Sequence, residues 1–141
     1  MNEKIITRAC EIVTGLAGQD DGHCTIALID ENGYPSASTV SIVKADGIKQ
    51  LMFGVSHDEN KARRVRACSK ASVCVNSPEY NITLVGTAEI LTDAKTKEDV
   101  WEPWFTEIWS DGVTDSDFCV LRFSTDRYSL YVDEEVAAGV L

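Results

Sequence analysis

Apolar residues at Ile5, Ile6, Ala9, Ile12, Val13 and Leu16 recur at helical spacing and predict an amphipathic helix over about residues 3 to 17. Asn2 is placed to cap its start and Gly18 to end it. The period then changes. His23 to Asp30 reads as a strand, and Asn32-Gly33 inside the turn Glu31 to Tyr34 is a strong hairpin signal. A second strand is predicted from Pro35 to Ala45, a turn at Asp46-Gly47, and a third strand from Ile48 to Gly54. A short polar loop and a basic helix interrupt the strands, which resume from Ala71 to Asn76. Tyr80 to Leu91 predicts a long strand with a bulge at Gly86. Thr92-Asp93 can cap a helix that runs to about Trp109, kinked or restarted at Pro103. An Asp- and Gly-rich loop, Ser110 to Asp117, precedes a closing hairpin of Phe118 to Ser124 and Arg127 to Asp133. The tail from Glu134 to Leu141 has no clear period.

These elements predict a mostly β fold with flanking helices, a six- to seven-stranded antiparallel barrel, closed or split. Strands and helices do not alternate, which argues against a doubly wound parallel sheet. The 141 residues are expected to form a single domain spanning 1–141 around one core.

Composition narrows the function. A net charge of −10 and a pI near 4.5 argue against nonspecific nucleic-acid binding and against anionic membrane surfaces. No apolar run approaches the roughly 20 residues of a membrane span, and the N-terminus lacks the order of a signal peptide, so a cytoplasmic location is expected. The five cysteines are odd in number and form no C-x-x-C pair, which argues against a metal centre or a disulfide framework. Reduced buried thiols fit the same compartment.

Against that acidity one cluster stands out. Lys61, Arg63, Arg64 and Arg66 put four of thirteen basic side chains within six residues. At a helix start, behind a loop with Ser56, His57 and Asn60, they suit a phosphate. A solvated helix face has the same spacing, and the sequence leaves both readings open. The small residues Ser36 to Ser41 would let a flat ligand approach the strand backbone, or would line a solvated face. Trp101, Trp104 and Trp109 lie within nine residues, the first two on one helix face. They suit core or interface packing, or a ring beside a flat cofactor. His23 reads as structural, and His57 as an exposed loop residue or an anion donor. No G-x-S-x-G, H-E-x-x-H or Walker sequence occurs, and no carboxylate pair stands out. Catalytic residues are therefore unassigned, and an organic cofactor would have to carry any redox chemistry.

Several short motifs, in order, carry a resemblance over about residues 5 to 133. They are Asn32-Gly33-Tyr34-Pro35, Leu51-Met52-Phe53, Lys61 eight residues past Phe53, Val85-Gly86-Thr87-Ala88-Glu89, Trp109-Ser110-Asp111-Gly112 and the closing strands. Together they resemble the pyridoxamine 5′-phosphate oxidase-like, FMN-binding split-barrel superfamily, in its small general-stress-protein branch. The resemblance implies a homodimer with two FMN sites at the subunit interface. It implies that Ser38, Thr39, Val40 and Ser41 run along the isoalloxazine ring. Lys61 matches the phosphate-binding lysine, with Val55, Ser56 and Asn60 in the same segment. Asn81 matches a polar position that reaches the flavin in some members, and Trp109 an aromatic residue that often covers the partner's site.

Two positions depart from the family pattern, which commonly has Thr at Val55 and Ser at Glu59. A carboxylate near a phosphate is unfavourable unless it points to solvent, with Ser56, Asn60 and Arg64 able to compensate. The resemblance implies an FMN-dependent oxidoreductase with an unknown small-molecule substrate. A noncatalytic flavin-, deazaflavin- or haem-binding protein is a second reading, and a dimeric module with a decayed pocket a third. Oxidases of pyridoxamine 5′-phosphate carry an Arg-rich segment after the last strands. Here residues 133–141 hold two Glu, one Asp and no basic residue, so that particular substrate is not expected.

Overall fold

The computed structural model describes residues 2–141. Helix α1 (Asn2–Leu16) is followed by strands β1 (His23–Ile29), β2 (Pro35–Ser41), β3 (Lys44–Asp46) and β4 (Gln50–Ser56). Helix α2 (Asn60–Ala67) leads to β5 (Lys70–Ser77) and β6 (Tyr80–Leu91). Helix α3 (Ala94–Val100) and two 3-10 turns, Pro103–Glu107 and Gly112–Thr114, precede β7 (Phe118–Val132) and β8 (Glu135–Val140). The strands form one antiparallel sheet in the order β2-β1-β5-β6-β7-β4-β3, with β8 beside the second half of β7.

The sequence order forces this sheet to curl. β2 and β3 sit at opposite ends of the seven-strand path, yet only Ile42 and Val43 separate them in the chain. The two edges must therefore come close together, and the sheet becomes a split barrel. The predicted strand from Pro35 to Ala45 is thus two strands. Its break is caused by residues distant in the chain. The Ile42 N–H donates to Gly22 O at 2.8 Å, and Ile42 O accepts from the Gly18 N–H at 2.9 Å. The Ile42 N–H bond carries the β1–β2 register one step further, but with the Ile42 carbonyl taken by Gly18 the ladder ends there.

The barrel interior is filled by the alternating residues that the pattern placed inward. Ile26 and Leu28 of β1, Leu51, Phe53 and Val55 of β4, and Val73, Ile82, Leu84, Leu121 and Phe123 are all nearly inaccessible. α1 covers one end with Ile5, Ala9 and Val13. Gly18 ends this helix as expected, with a φ of 77°. Asn2 lies inside the helix, and its amide donates to Ala138 O at 3.5 Å. The Asn32-Gly33 turn is present: Gly33 has a φ of 83°, and the Asp30 carboxylate accepts the N–H groups of Asn32 and Tyr34 at 3.0 Å each.

The closing hairpin requires correction. Phe118 to Val132 is one bent strand. Its partner register jumps at Gly86, where Val85 faces Arg127 and Gly86 faces Thr125, so Asp126 is the extra residue of a bulge. Thr125 anchors the bend: its N–H donates to Lys49 O at 3.0 Å and its hydroxyl to Ile48 O at 2.6 Å. The real turn is at Asp133 and Glu134, with φ values of 51° and 65°, and it starts β8 in the segment whose period was unreadable. A turn with both central residues at positive φ normally carries Asn or Gly, and here it carries neither. No helix among the described residues is long and apolar enough to cross a membrane.

All five cysteines are free thiols, with Cys24 and Cys119 buried and the other three half-buried. Burial, helped by the neighbouring Cys74, pushes the Cys24 thiol up to about 12. Burial also raises that of Cys119. A thiol needs its thiolate to react. In the native protein a disulfide reagent such as Ellman's reagent should therefore titrate at most three thiols promptly, and the full five only after unfolding. Prompt reaction of all five would contradict this burial.

Candidate functional site

β4 has two faces with different tasks. Leu51, Phe53 and Val55 face the barrel interior, while Met52, Gly54 and Ser56 face outward. The aromatic segment after α3 packs on that outer face and makes a second, smaller core with Val100, Phe105, Trp109, Phe118 and Val120. Phe105 is its hub, with ring centroids 5.4 Å from Trp101, 4.7 Å from Trp104, 5.2 Å from Trp109 and 5.7 Å from Phe118. These are edge-to-face arrangements, the preferred geometry of aromatic pairs. Gly54 makes room for them, since a Cβ there would lie 3.2 Å from the Phe105 and Trp109 rings. The Trp109 Nε1–H donates to Ser56 Oγ at 3.1 Å and fixes the indole against the strand.

Two further contacts hold the segment in place. The Asp93 carboxylate caps α3 by accepting the Thr96 hydroxyl at 2.8 Å and the Thr96 N–H at 3.1 Å, which together hold its pKa below the usual carboxylate value. That cap stabilises the fold above the ordinary carboxylate range and fades as pH falls through the folded pKa. Lys97 is buried, donates to Asp115 O at 3.0 Å and lies 5.5 Å from the centre of the Phe118 ring. The helix expected to run to about Trp109 breaks at Trp101 and restarts as a 3-10 turn at Pro103. Trp101 and Trp104 therefore do not share a helix face.

Between this aromatic wall and the outer edge of β2 lies an open cleft of about 200 Å³. Thr39, Val40 and Ser41 form one side, Trp104, Phe105, Ile108 and Trp109 the other, and Ser56, Glu59 and Lys61 one end. β2 ends the sheet path, so one side of its backbone has no strand partner. Of the residues predicted from sequence, Thr39, Val40, Ser41, Ser56, Lys61 and Trp109 meet here. Ser38 is exposed on the same strand just before them. The others lie elsewhere. The Val55 side chain is fully buried in the barrel core. Asn60 is exposed and accepts from Arg63. Asn81 Nδ2 donates to Thr83 Oγ1 at 3.0 Å, on β6. Trp104, from the tryptophan cluster read in the sequence, joins the wall, and Phe105 and Gly54 complete it without a comparable signal. The only sequence cue was a Trp-Phe pair following Pro103 and a glycine ending an apolar run.

The basic cluster of α2 is consumed within the chain. Arg63 donates to Asp58 O and Asn60 Oδ1. Arg64 pairs with Glu31 at 3.3 Å and reaches Ser36 Oγ at 3.4 Å. Arg66 donates to His57 O at 2.6 Å and to His57 Nδ1 at 2.8 Å, so His57 is engaged away from the cleft. Lys61 is the only basic side chain that lines the cleft among the described residues, and its Nζ lies 3.0 Å from Glu59 Oε1. Glu59 Oε2 also accepts the Ser56 N–H at 2.7 Å.

FMN has two parts, and the cleft treats them differently. A flat ring fits between an unpaired strand edge and an aromatic wall. A phosphate does not fit the end of the cleft as it stands, because the donors it needs there already hold a carboxylate.

The architecture has many solved counterparts. A protein from Clostridium acetobutylicum related to general stress protein 26 of Bacillus subtilis superposes with a TM-score of 0.82 at 23% identity, covering 100% of this chain and 97% of that one. A pyridoxamine 5′-phosphate oxidase-related, FMN binding protein from Nostoc punctiforme has a TM-score of 0.61 at 14% identity, over 99% and 96% of the two chains. A heme binding protein from Mycobacterium smegmatis has a TM-score of 0.68 at 20% identity, over 94% of this chain and 57% of that one. At these identities the likeness is one of fold. No curated protein matches the chain. In sequence, the family model described as pyridoxamine 5′-phosphate oxidase matches residues 17–131, the strands and the aromatic segment that build the cleft, and the chain accordingly belongs to that family.

Proposed function

We propose that the cleft holds the isoalloxazine ring of a flavin and that the protein works as a flavin-dependent oxidoreductase on a small substrate. The observation that carries this is the unpaired edge of β2 at Thr39, Val40 and Ser41, set across the cleft from Trp104 and Phe105. A strand edge offers N–H and C=O groups to the polar rim of a flat ring, and the aromatic wall offers its faces. Membership of the family and the fold shared with an FMN binding protein support the reading. The flavin, when bound, would supply the electron transfer, and the chain would position its ring and exclude water.

One observation favours a noncatalytic holder of flavin, deazaflavin or haem. Among the described residues, no carboxylate, histidine or thiol lines the half of the cleft between β2 and the aromatic wall, and at the other end Glu59 is paired with Lys61. The fold shared with a heme binding protein adds to it. Anaerobic mixing of the flavin-loaded protein with NADH or NADPH separates the two. Bleaching of the flavin band near its visible maximum, reversed by air, supports the oxidoreductase. A band that neither nucleotide bleaches supports the holder.

We further propose that two chains pair across the cleft mouth. Trp104 and Ile108 are 48% and 55% exposed there, large apolar side chains that a second copy would cover. Light scattering at micromolar concentration is expected to give twice the 15.5 kDa chain mass. A monomer that binds flavin tightly would contradict the pairing. Nothing in the geometry suggests pyridoxamine 5′-phosphate as substrate, since β8 contributes no basic residue for a second phosphate.

A further inference from the structure

We propose that Glu59 is a resident anion in the phosphate seat, and that it makes the cleft select flavins whose tail ends in hydroxyls over flavins that end in a phosphate. This rests on the flavin reading above. Glu59 occupies the residue just before α2, where Ser, Asn or Asp would normally turn back to cap the helix. Its side chain makes no cap hydrogen bond. It reaches into the cleft end, where Oε2 accepts the Ser56 N–H at 2.7 Å and Oε1 meets Lys61 Nζ at 3.0 Å. Its own N–H closes the turn onto Ser56 O at 3.2 Å. Both side chains are half-buried, at 30% and 27% exposure, so water screens the pair only in part.

The consequence for ligands is one of charge and of donors. A phosphate entering this seat would have to take two charge-assisted hydrogen bonds from Glu59 and remain beside the displaced carboxylate. Among the described residues no other cation lines the cleft, and Arg63, Arg64 and Arg66 are each turned to chain partners. An uncharged polyol tail meets the opposite situation. Its hydroxyls donate, and the carboxylate lone pairs left over by Ser56 and Lys61 accept. The ring half of the cleft is indifferent to this choice.

The test is a set of fluorescence-quenching titrations with riboflavin and with FMN, at one ionic strength, on the wild-type protein and on Glu59→Gln and Glu59→Ser. Gln keeps an acceptor for the Ser56 N–H and removes the charge, and Ser removes the side chain from the seat. Wild type is expected to bind riboflavin at least about tenfold more tightly than FMN. Both variants are expected to gain at least about tenfold in FMN affinity, with riboflavin affinity changed by less than about threefold. FMN binding to wild type as tightly as riboflavin, with no gain in either variant, would overturn the role of Glu59 and leave the flavin reading standing. Failure of all three proteins to bind either flavin would overturn both. Retained thermal unfolding temperatures in the variants would show that the affinities report the seat and not the fold.

Discussion

Gly86→Ala is expected to lower the stability of this protein by about 3 kcal/mol or more, among the larger single effects available to it. An alanine Cβ at this position would lie 1.9 Å from Ser124 O, 2.9 Å from Ser124 C and 3.1 Å from Asp126 N. All three are backbone atoms, so no side-chain rotation relieves the overlap. The opposing strand cannot retreat either. Thr125 is tied to Ile48 O and Lys49 O, and the Asp126 carbonyl accepts the Leu141 N–H at 2.9 Å. The bulge lies in the β6–β7 ladder, which runs from Tyr80 opposite Val132 to Leu91 opposite Val120. Separating the strands there loosens the sheet's centre. Thermal unfolding should show a midpoint about 10 °C below wild type. Gly15→Ala is the matched control: nothing lies within 4 Å of its Cβ, and in α1 the change should be neutral or stabilising. A Gly86→Ala midpoint within a degree of wild type would mean that the bulge is not built as described.

Phe105→Ala should cost a similar amount, about 3–5 kcal/mol, and should also disable the cleft. The ring is 2% exposed and contacts Trp101, Trp104, Trp109 and Phe118 in one cluster. Its removal leaves a cavity between the segment and the outer face of β4, and lets Trp104 and Trp109 shift. The barrel core is on the other side of the sheet and is untouched. Urea unfolding should therefore show a lowered midpoint for a protein that still folds in the cold, with flavin quenching lost in the folded state. Phe105→Leu, which keeps most of the apolar volume, should recover much of the stability. Full flavin affinity in a folded Phe105→Ala protein would remove the aromatic wall from the site.

The residues that were readable from sequence are those whose signal is local. The helical period of α1, the Asn32-Gly33 turn, the alternation along β1 and β4, and the glycine break in β6 all depend on neighbours in the chain. What was misread depends on contacts distant in sequence. Nothing near Ile42 announces that Gly18 and Gly22 will take its backbone groups and turn one expected strand into two. Asp133-Glu134 lacks the turn residues that its positive φ values favour, so β8 was hidden. The basic cluster is the instructive case. Four cations in six residues indicate a phosphate seat by charge alone. Their partners decide otherwise, and Glu31, His57 and Ser36 come from other elements. Glu59 was visible as a departure from the family pattern, while its direction, into the cleft rather than out to solvent, required the fold. Val55 shows the converse: the resemblance places it beside the phosphate-binding segment, while alternation along β4 turns its side chain into the barrel core.

Titration of the wild-type protein with riboflavin, followed by quenching of flavin fluorescence, tests the central claim most directly. The cleft between β2 and the aromatic wall predicts saturable quenching at one flavin per chain, with loss of that binding in folded Phe105→Ala. Absence of quenching at concentrations up to about 1 mM, in a protein whose far-ultraviolet circular dichroism shows the fold intact, would contradict it.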